Sequence, residues 1–172
     1  MTPEDQPAGG AGDADALPAE IKLRPVAESD EDFLLTICLE TSERVFGILE
    51  LPAEQKGPLV RMQMRARETG WRQDNPDGDF SIVLYKGRPA GQWYVGADDE
   101  RFTLVYAAVL EEFQGRGIAA ALTRHLFAAA GRLGKRVSAN VEKTNPARDA
   151  WLHLGFEIVG EDELHYQLEH SP

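Results

Sequence analysis

The sequence predicts a mixed α/β fold: a mostly antiparallel twisted sheet with one central parallel β-α-β unit and helices on both faces. Three observations carry this expectation. Only residues 101–142 read as strand, long helix and strand, the arrangement that demands a parallel crossover. Most other strands adjoin through short turn signals, KGRP at 86–89 and GED at 160–162, and read as hairpins. Helical periodicity appears before, within and after these strands, giving the order β-α-α-β-β-β-α-β-α-β-β.

Residues 1–19 are rich in Gly, Ala, Pro and Asp, so they bury too little to offset ordering and read as a disordered tail ahead of a domain over 20–172. IKLRPV (21–26) alternates as a first strand. Ser29 and Asp30 are suited to cap a helix that carries Phe33, Leu34, Ile37 and Cys38 on one face. Pro52 opens a second helix with Leu59, Met62 and Met64 among polar residues. NPDGD (75–79) turns the chain into the hairpin DFSIVLYKGRPAGQWYVG, and RFTLVYAAVL continues the meander. The helix after the glycines at 115 and 117 runs to about Gly131. KRVSANVE is the next strand, Pro146 opens a short helix that Gly155 stops, and FEIVG and ELHYQLEH are the last two strands.

Net charge is −11, and 42% of residues are hydrophobic. A nucleic-acid partner would call for a basic face, which this balance argues against; an acidic surface tolerates or attracts a cationic substrate. The N-terminus has no apolar run, so it reads as neither export signal nor membrane span, and the default location is cytoplasmic. The single cysteine, Cys38, makes no internal disulfide and reads as packing. His125, His153, His165 and His170 show no metal-ligand spacing, so no metal is expected.

EEFQGRGIAAAL (111–122) places small residues between a buried strand and a helix. Gly115-Arg-Gly117-Ile-Ala-Ala120 formally fits a dinucleotide fingerprint, and Glu142 follows near the ribose-binding position. Against it, residues 111–114 separate strand from glycines, and too little chain follows for further β-α-β units. The first turn of a helix has N–H groups without intrahelical partners and a positive dipole end. Small residues at 115, 117 and 119 would let phosphate oxygens reach those groups, and Arg116 can add a charge-assisted bond.

Gln114-Gly-Arg-Gly117-Ile-Ala119 fits the pattern Q/R-x-x-G-x-G/A. Downstream, Asn145 opens a helix that ends Leu154-Gly155-Phe156. The pair, in this order and with a strand between, resembles the two signatures of the GNAT superfamily of N-acetyltransferases. The resemblance implies acetyl-CoA as cosubstrate and a primary amine of a small molecule or protein as acceptor, in a monomer or homodimer; a non-catalytic acyl-CoA-binding module of the same fold is the alternative. It implies a bulged strand before the glycines that splays from its parallel neighbour, with pantetheine in the gap. Ala108, Val109 and Leu110 would then offer backbone groups, Gln114, Gly115, Arg116, Gly117, Ile118 and Ala119 would surround the pyrophosphate, and Asn145 would touch the pantetheine or adenine end.

The family's usual acid is a tyrosine four residues before the glycine of Leu-Gly-Phe. Here that position is Trp151, whose indole donates a hydrogen bond but yields no proton at neutral pH. Tyr106 on the central strand is the foremost replacement, ahead of Glu142 and Glu43. The resemblance places the acceptor site on the first two helices and the hairpins. Arg61, Arg65, Arg67, Trp71 and Arg72 make that region basic and aromatic; a carboxylate-bearing acceptor fits it, a solvated helix face being the plainer account.

Overall fold

The computed structural model describes residues 16–46 and 51–172. Most of the expected tail, residues 1–15, lies outside the described residues, as do residues 47–50. Strands β1 (Ile21–Pro25), β2 (Asp79–Tyr85), β3 (Arg88–Ala97), β4 (Arg101–Val109), β5 (Arg136–Glu142), β6 (Glu157–Glu161) and β7 (His165–His170) form one sheet in the order β1-β2-β3-β4-β5-β7-β6. Helices α1 (Glu31–Phe46) and α2 (Ala53–Asp74) precede the hairpin, α3 (Ile118–Leu133) links β4 to β5, and α4 (Arg148–Leu154) precedes β6. The element order and the mixed sheet match the sequence expectation.

Alternation along β2 and β3 assigns the two faces. Ile82 joins Leu34, Cys38, Val60 and Met64 in a core beneath α1 and α2. Val83, Trp93 and Val95 join Ile118, Leu122 and Leu126 of α3 in the larger core. Each strand therefore buries both faces, which is why β3 is buried from Ala90 to Gly96. The link Lys86-Gly87 carries positive φ at both residues (50° and 80°), the backbone that joins two strands without splaying them. Helix α3 continues past Gly131 to Leu133 and stops at Gly134 (φ 64°), whose N–H closes on the Ala130 and Gly131 carbonyls. The cap that fits is thus the second of the two glycines.

The pairing of β4 positions the site. Tyr94 opposes Tyr106, yet the next residue of β3, Val95, opposes Leu104, so Val105 is an extra residue in β4. The parallel pairing with β5 covers only Arg101–Arg136 to Leu104–Ala139. Bulge and end of pairing coincide. Gly91 lets β3 and β4 close above this point: a Cβ there would lie 2.2 Å from the Ala108 carbonyl oxygen.

Asp30 joins the end of β1 to the start of α1. Its carboxylate accepts from both terminal nitrogens of Arg24, each at 2.7 Å, and from the Ala27 N–H at 2.8 Å. The Arg24 bond holds the carboxyl below the usual aspartate range. A depressed carboxyl stabilises the fold above its unfolded pKa, and that contribution is lost as pH falls through the folded value. Asp30→Asn should cost about 1–3 kcal/mol near neutral pH in denaturant titrations. The gap from the parent should close as pH drops below the ordinary aspartate range.

Candidate functional site

Beyond Leu104 and Ala139 the two parallel strands separate and leave a cleft of about 750 Å³. Val105, Tyr106 and Ala107 line one wall; Asn140, Val141 and Glu142 line the other. Over this stretch the β5-facing edge of β4 has no strand partner among the described residues. Such an edge presents N–H and C=O groups to an extended ligand. Ala108 and Val109 lie on the same free stretch, opposite Gln92 and Gly91 of β3. Leu110 is placed differently. Its N–H donates to Ala90, its carbonyl accepts from Phe113, and its side chain is buried.

The glycine corner follows. Gly115 (φ 72°) and Gly117 (φ 74°) both occupy the left-handed region, so a side chain at either would be strained even though space for it is open. The corner is fixed from its flanks: Gln114 Nε2 donates to the Val109 carbonyl at 2.9 Å, and Ile118 is buried in the core. Arg116 is exposed, donates to the Glu112 carbonyl and lies 5.6 Å from the Tyr85 ring. Among the described residues, no N–H from Gly115 to Ala120 donates to the protein, whereas the Ala121 N–H closes on the Gly117 carbonyl. Ala119 is half-buried at this open turn.

Asn145 and Trp151 border the cleft from the α4 side. The Asn145 side chain accepts from the Ala147 N–H at 2.9 Å and so caps the turn before α4. Trp151 is half-buried and meets Phe156 edge-on at 6.0 Å. The cleft passes through the sheet to the α1/α2 side. There Tyr106 stacks on Trp71 at 4.8 Å, and its hydroxyl is 3.2 Å from Thr41 Oγ1. Arg67 lies over both rings, 4.7 Å from Trp71 and 4.9 Å from Tyr106. Thr41, Arg67 and Tyr106 all line the cleft, as does Glu142. The Glu43 side chain falls outside the described residues.

Behind Tyr106 is a polar cluster that no motif announced. Tyr94, fully buried, donates to Glu68 Oε2 at 2.9 Å, and Gln92 Nε2 is 3.2 Å from Glu68 Oε1 and 2.8 Å from the Tyr94 hydroxyl. Burial raises the Glu68 carboxyl above the ordinary range, against the lowering by the Tyr94 and Gln92 bonds and the nearby Arg72 and Arg67 cations. Burial, with Glu68 beside it, pushes the Tyr94 phenol well up. The available sequence signal was polar residues at 92 and 94, at the two-residue spacing that places both on one face of an apolar strand. Arg67 carried a second signal: with Val60, Met64 and Trp71 it forms an i, i+4, i+7, i+11 stripe, an arginine set among apolar positions.

A parallel pair that splits at a bulge, followed by a glycine corner with free helix amides, defines an acyltransferase-type fold. The family model described as the acetyltransferase (GNAT) family matches residues 44–156, and the chain belongs to that family. Among solved structures, it is similar to a PaiA N-acetyltransferase from Thermoplasma acidophilum in complex with coenzyme A (TM-score 0.66, 15% identity, 88% of this chain and 99% of that one). It is also similar to an acetyltransferase from Thermus thermophilus (TM-score 0.65, 21% identity, 91% and 100%). A third is RimL, the ribosomal L7/L12 alpha-N-protein acetyltransferase, in complex with coenzyme A (TM-score 0.64, 16% identity, 91% and 96%). No curated protein matches the sequence. Among the described residues no helix is long and apolar enough to cross a membrane.

The Glu68 cluster makes a pH prediction. A carboxyl raised by folding keeps its proton where the unfolded chain has lost it, so its cost to stability is absent at low pH and grows as pH rises through the raised value. Glu68→Gln removes this titration. The melting temperature of the variant relative to the parent should therefore rise between about pH 4 and about pH 7. A constant difference would show that the carboxyl titrates as it does in the unfolded chain.

Proposed function

We propose that this protein transfers the acetyl group of acetyl-CoA to a primary amine. The observation that carries the proposal is the alignment of two features on one path: the free edge of β4 from Val105 to Val109 leads directly to the open amides at 115–120. Pantetheine would add to the β4 edge as an extended strand, and the pyrophosphate would take the amides at the start of α3. Arg116, exposed at the corner, can swing to the phosphates. Asn145 and Trp151 would flank the chain of the cofactor from the α4 side.

The amine nitrogen attacks the thioester carbonyl carbon, the C–S bond breaks with its electron pair on sulfur, and the nitrogen gives up a proton. An N–H at the bulge would donate to the developing oxyanion. Tyr106, at the cleft wall beside Thr41, would return a proton to the thiolate. Glu142, exposed on the facing wall, would receive the amine proton through water.

Trp151 in place of tyrosine favours a second account, a domain that holds acyl-CoA without transferring the acyl group. Release of free thiol from acetyl-CoA across a panel of amines separates the two: amine-dependent release supports transfer, and cofactor binding without release supports the module.

Both accounts require the cofactor at the glycine corner. Acetyl-CoA should raise the melting temperature, since it binds the folded chain. Ala119→Glu should abolish that rise while leaving the unliganded melting temperature near the parent's. A carboxylate in the first turn suits the helix dipole but repels a pyrophosphate. An unchanged acetyl-CoA shift in this variant would place the pyrophosphate elsewhere.

A further inference from the structure

The four arginines of α2 differ in their surroundings. Arg61 and Arg65 reach across to Glu31 of α1, Arg61 also to Asp32. Arg72 lies 4.5 Å from the Phe80 ring and acts on Glu68. Arg67 makes no ion pair with these carboxylates, although its charge, like that of Arg72, favours the ionised form of Glu68. Its guanidinium lies against Trp71 and Tyr106, and Nη2 approaches Cys38 Sγ at 3.7 Å. Nε is buried and donates to nothing among the described residues, and no described carboxylate comes within ion-pair distance of Arg67.

A guanidinium with its face on aromatic rings keeps its N–H donors in the plane, at the edge. Sulfur is a weak acceptor and uses only part of that capacity. This cation forms part of the cleft wall next to the bulge, beside the hydroxyls of Thr41 and Tyr106. Among the described residues no other Lys or Arg lines the cleft, and the facing wall carries Glu142. One cation opposite one carboxylate suits a monoanion; a phosphate dianion would meet repulsion from Glu142 with too little positive charge to offset it.

We infer that the acceptor is an amine that also bears a carboxylate, of the amino-acid class, with its carboxylate on the Arg67 edge and its amine toward the bulge at Val105. This rests on the acetyl-transfer reading above. Arg67 is then a specificity determinant that touches the acceptor, and Glu142 stands where the ammonium arrives before it is deprotonated.

The test uses the full chain with acetyl-CoA and matched pairs of amines, each amino acid beside its carboxamide, with thiol release as readout. The parent should favour the acids by about tenfold or more in kcat/KM, mainly through KM. Arg67→Gln should lower kcat/KM for the acids by about a hundredfold. The loss for the carboxamides should be far smaller, reflecting only the lost packing of Arg67 on Trp71 and Tyr106, and the acetyl-CoA thermal shift should persist. Arg67→Lys keeps the charge without the fork and should recover part of the loss, which guards against a merely misfolded Gln variant. Equal rates for acids and carboxamides in the parent, or equal losses for both in Arg67→Gln, would overturn the inference while leaving acetyl transfer intact. Absence of thiol release with every amine, while acetyl-CoA still shifts the melting temperature, would overturn the transfer reading and the acceptor assignment with it.

Discussion

One extra residue in β4 governs the rest of the molecule. Val105 has no counterpart on β3, and this changes three things at once. The side-chain alternation slips by one, so Leu104 packs toward α3 while Tyr106 stacks on α2. The parallel ladder with β5 ends at Leu104 and Ala139. The edge released by that ending runs down to the glycine corner. A sheet buried on both faces normally completes its ladders, because an unpaired amide away from water is costly. Strand β4 is set in a dense core: Ile118 and Leu122 of α3 and Ile37 of α1 are almost fully buried in the cluster that also holds Leu104.

The split makes one cleft with two chemically distinct ends. The α3/α4 end offers backbone donors and an asparagine, groups suited to a polar chain and an anionic head whatever the net charge of −11. The α1/α2 end offers an arginine, two hydroxyls and a carboxylate around an aromatic shelf. That shelf is itself anchored. Tyr94 meets Trp71, Phe80 and Tyr106, and its hydroxyl is fixed by Glu68 and Gln92. Side chains held this firmly reduce the entropy lost when a ligand orders against them.

Much of this was legible because it is local. Strand alternation, the turn at Lys86-Gly87 and the caps around Asn145 and Gly155 are written in neighbouring residues. The glycine corner was equally legible, since two left-handed positions on either side of Arg116 leave few alternatives to glycine. The end of α3 misled because Gly131 and Gly134 are both glycines, and only the backbone closure at 134 tells which one caps. What stayed hidden depends on long-range contact. Val105 is an ordinary strand residue until its lack of a partner is seen. Glu68 and Tyr94 come from different elements, and no spacing rule joins them. The arginines of α2 looked equivalent until their phase on the helix was set against the core: Arg67 falls on the stripe of Val60, Met64 and Trp71, and only the fold shows that this stripe leads to the cleft. Arg61 and Arg65 lie off it and pair with Glu31 of α1.

The central claim is that the free edge of β4 is a binding edge. Hydrogen exchange at the amides of residues 105–109, with and without coenzyme A, measures this most directly. Those amides that face β5 should exchange readily in the free protein and become protected on coenzyme A addition, together with the amides at 115–120. Protection confined to 115–120, with 105–109 unchanged, would contradict the account, since the cofactor would then be held at the helix start without entering the split between β4 and β5.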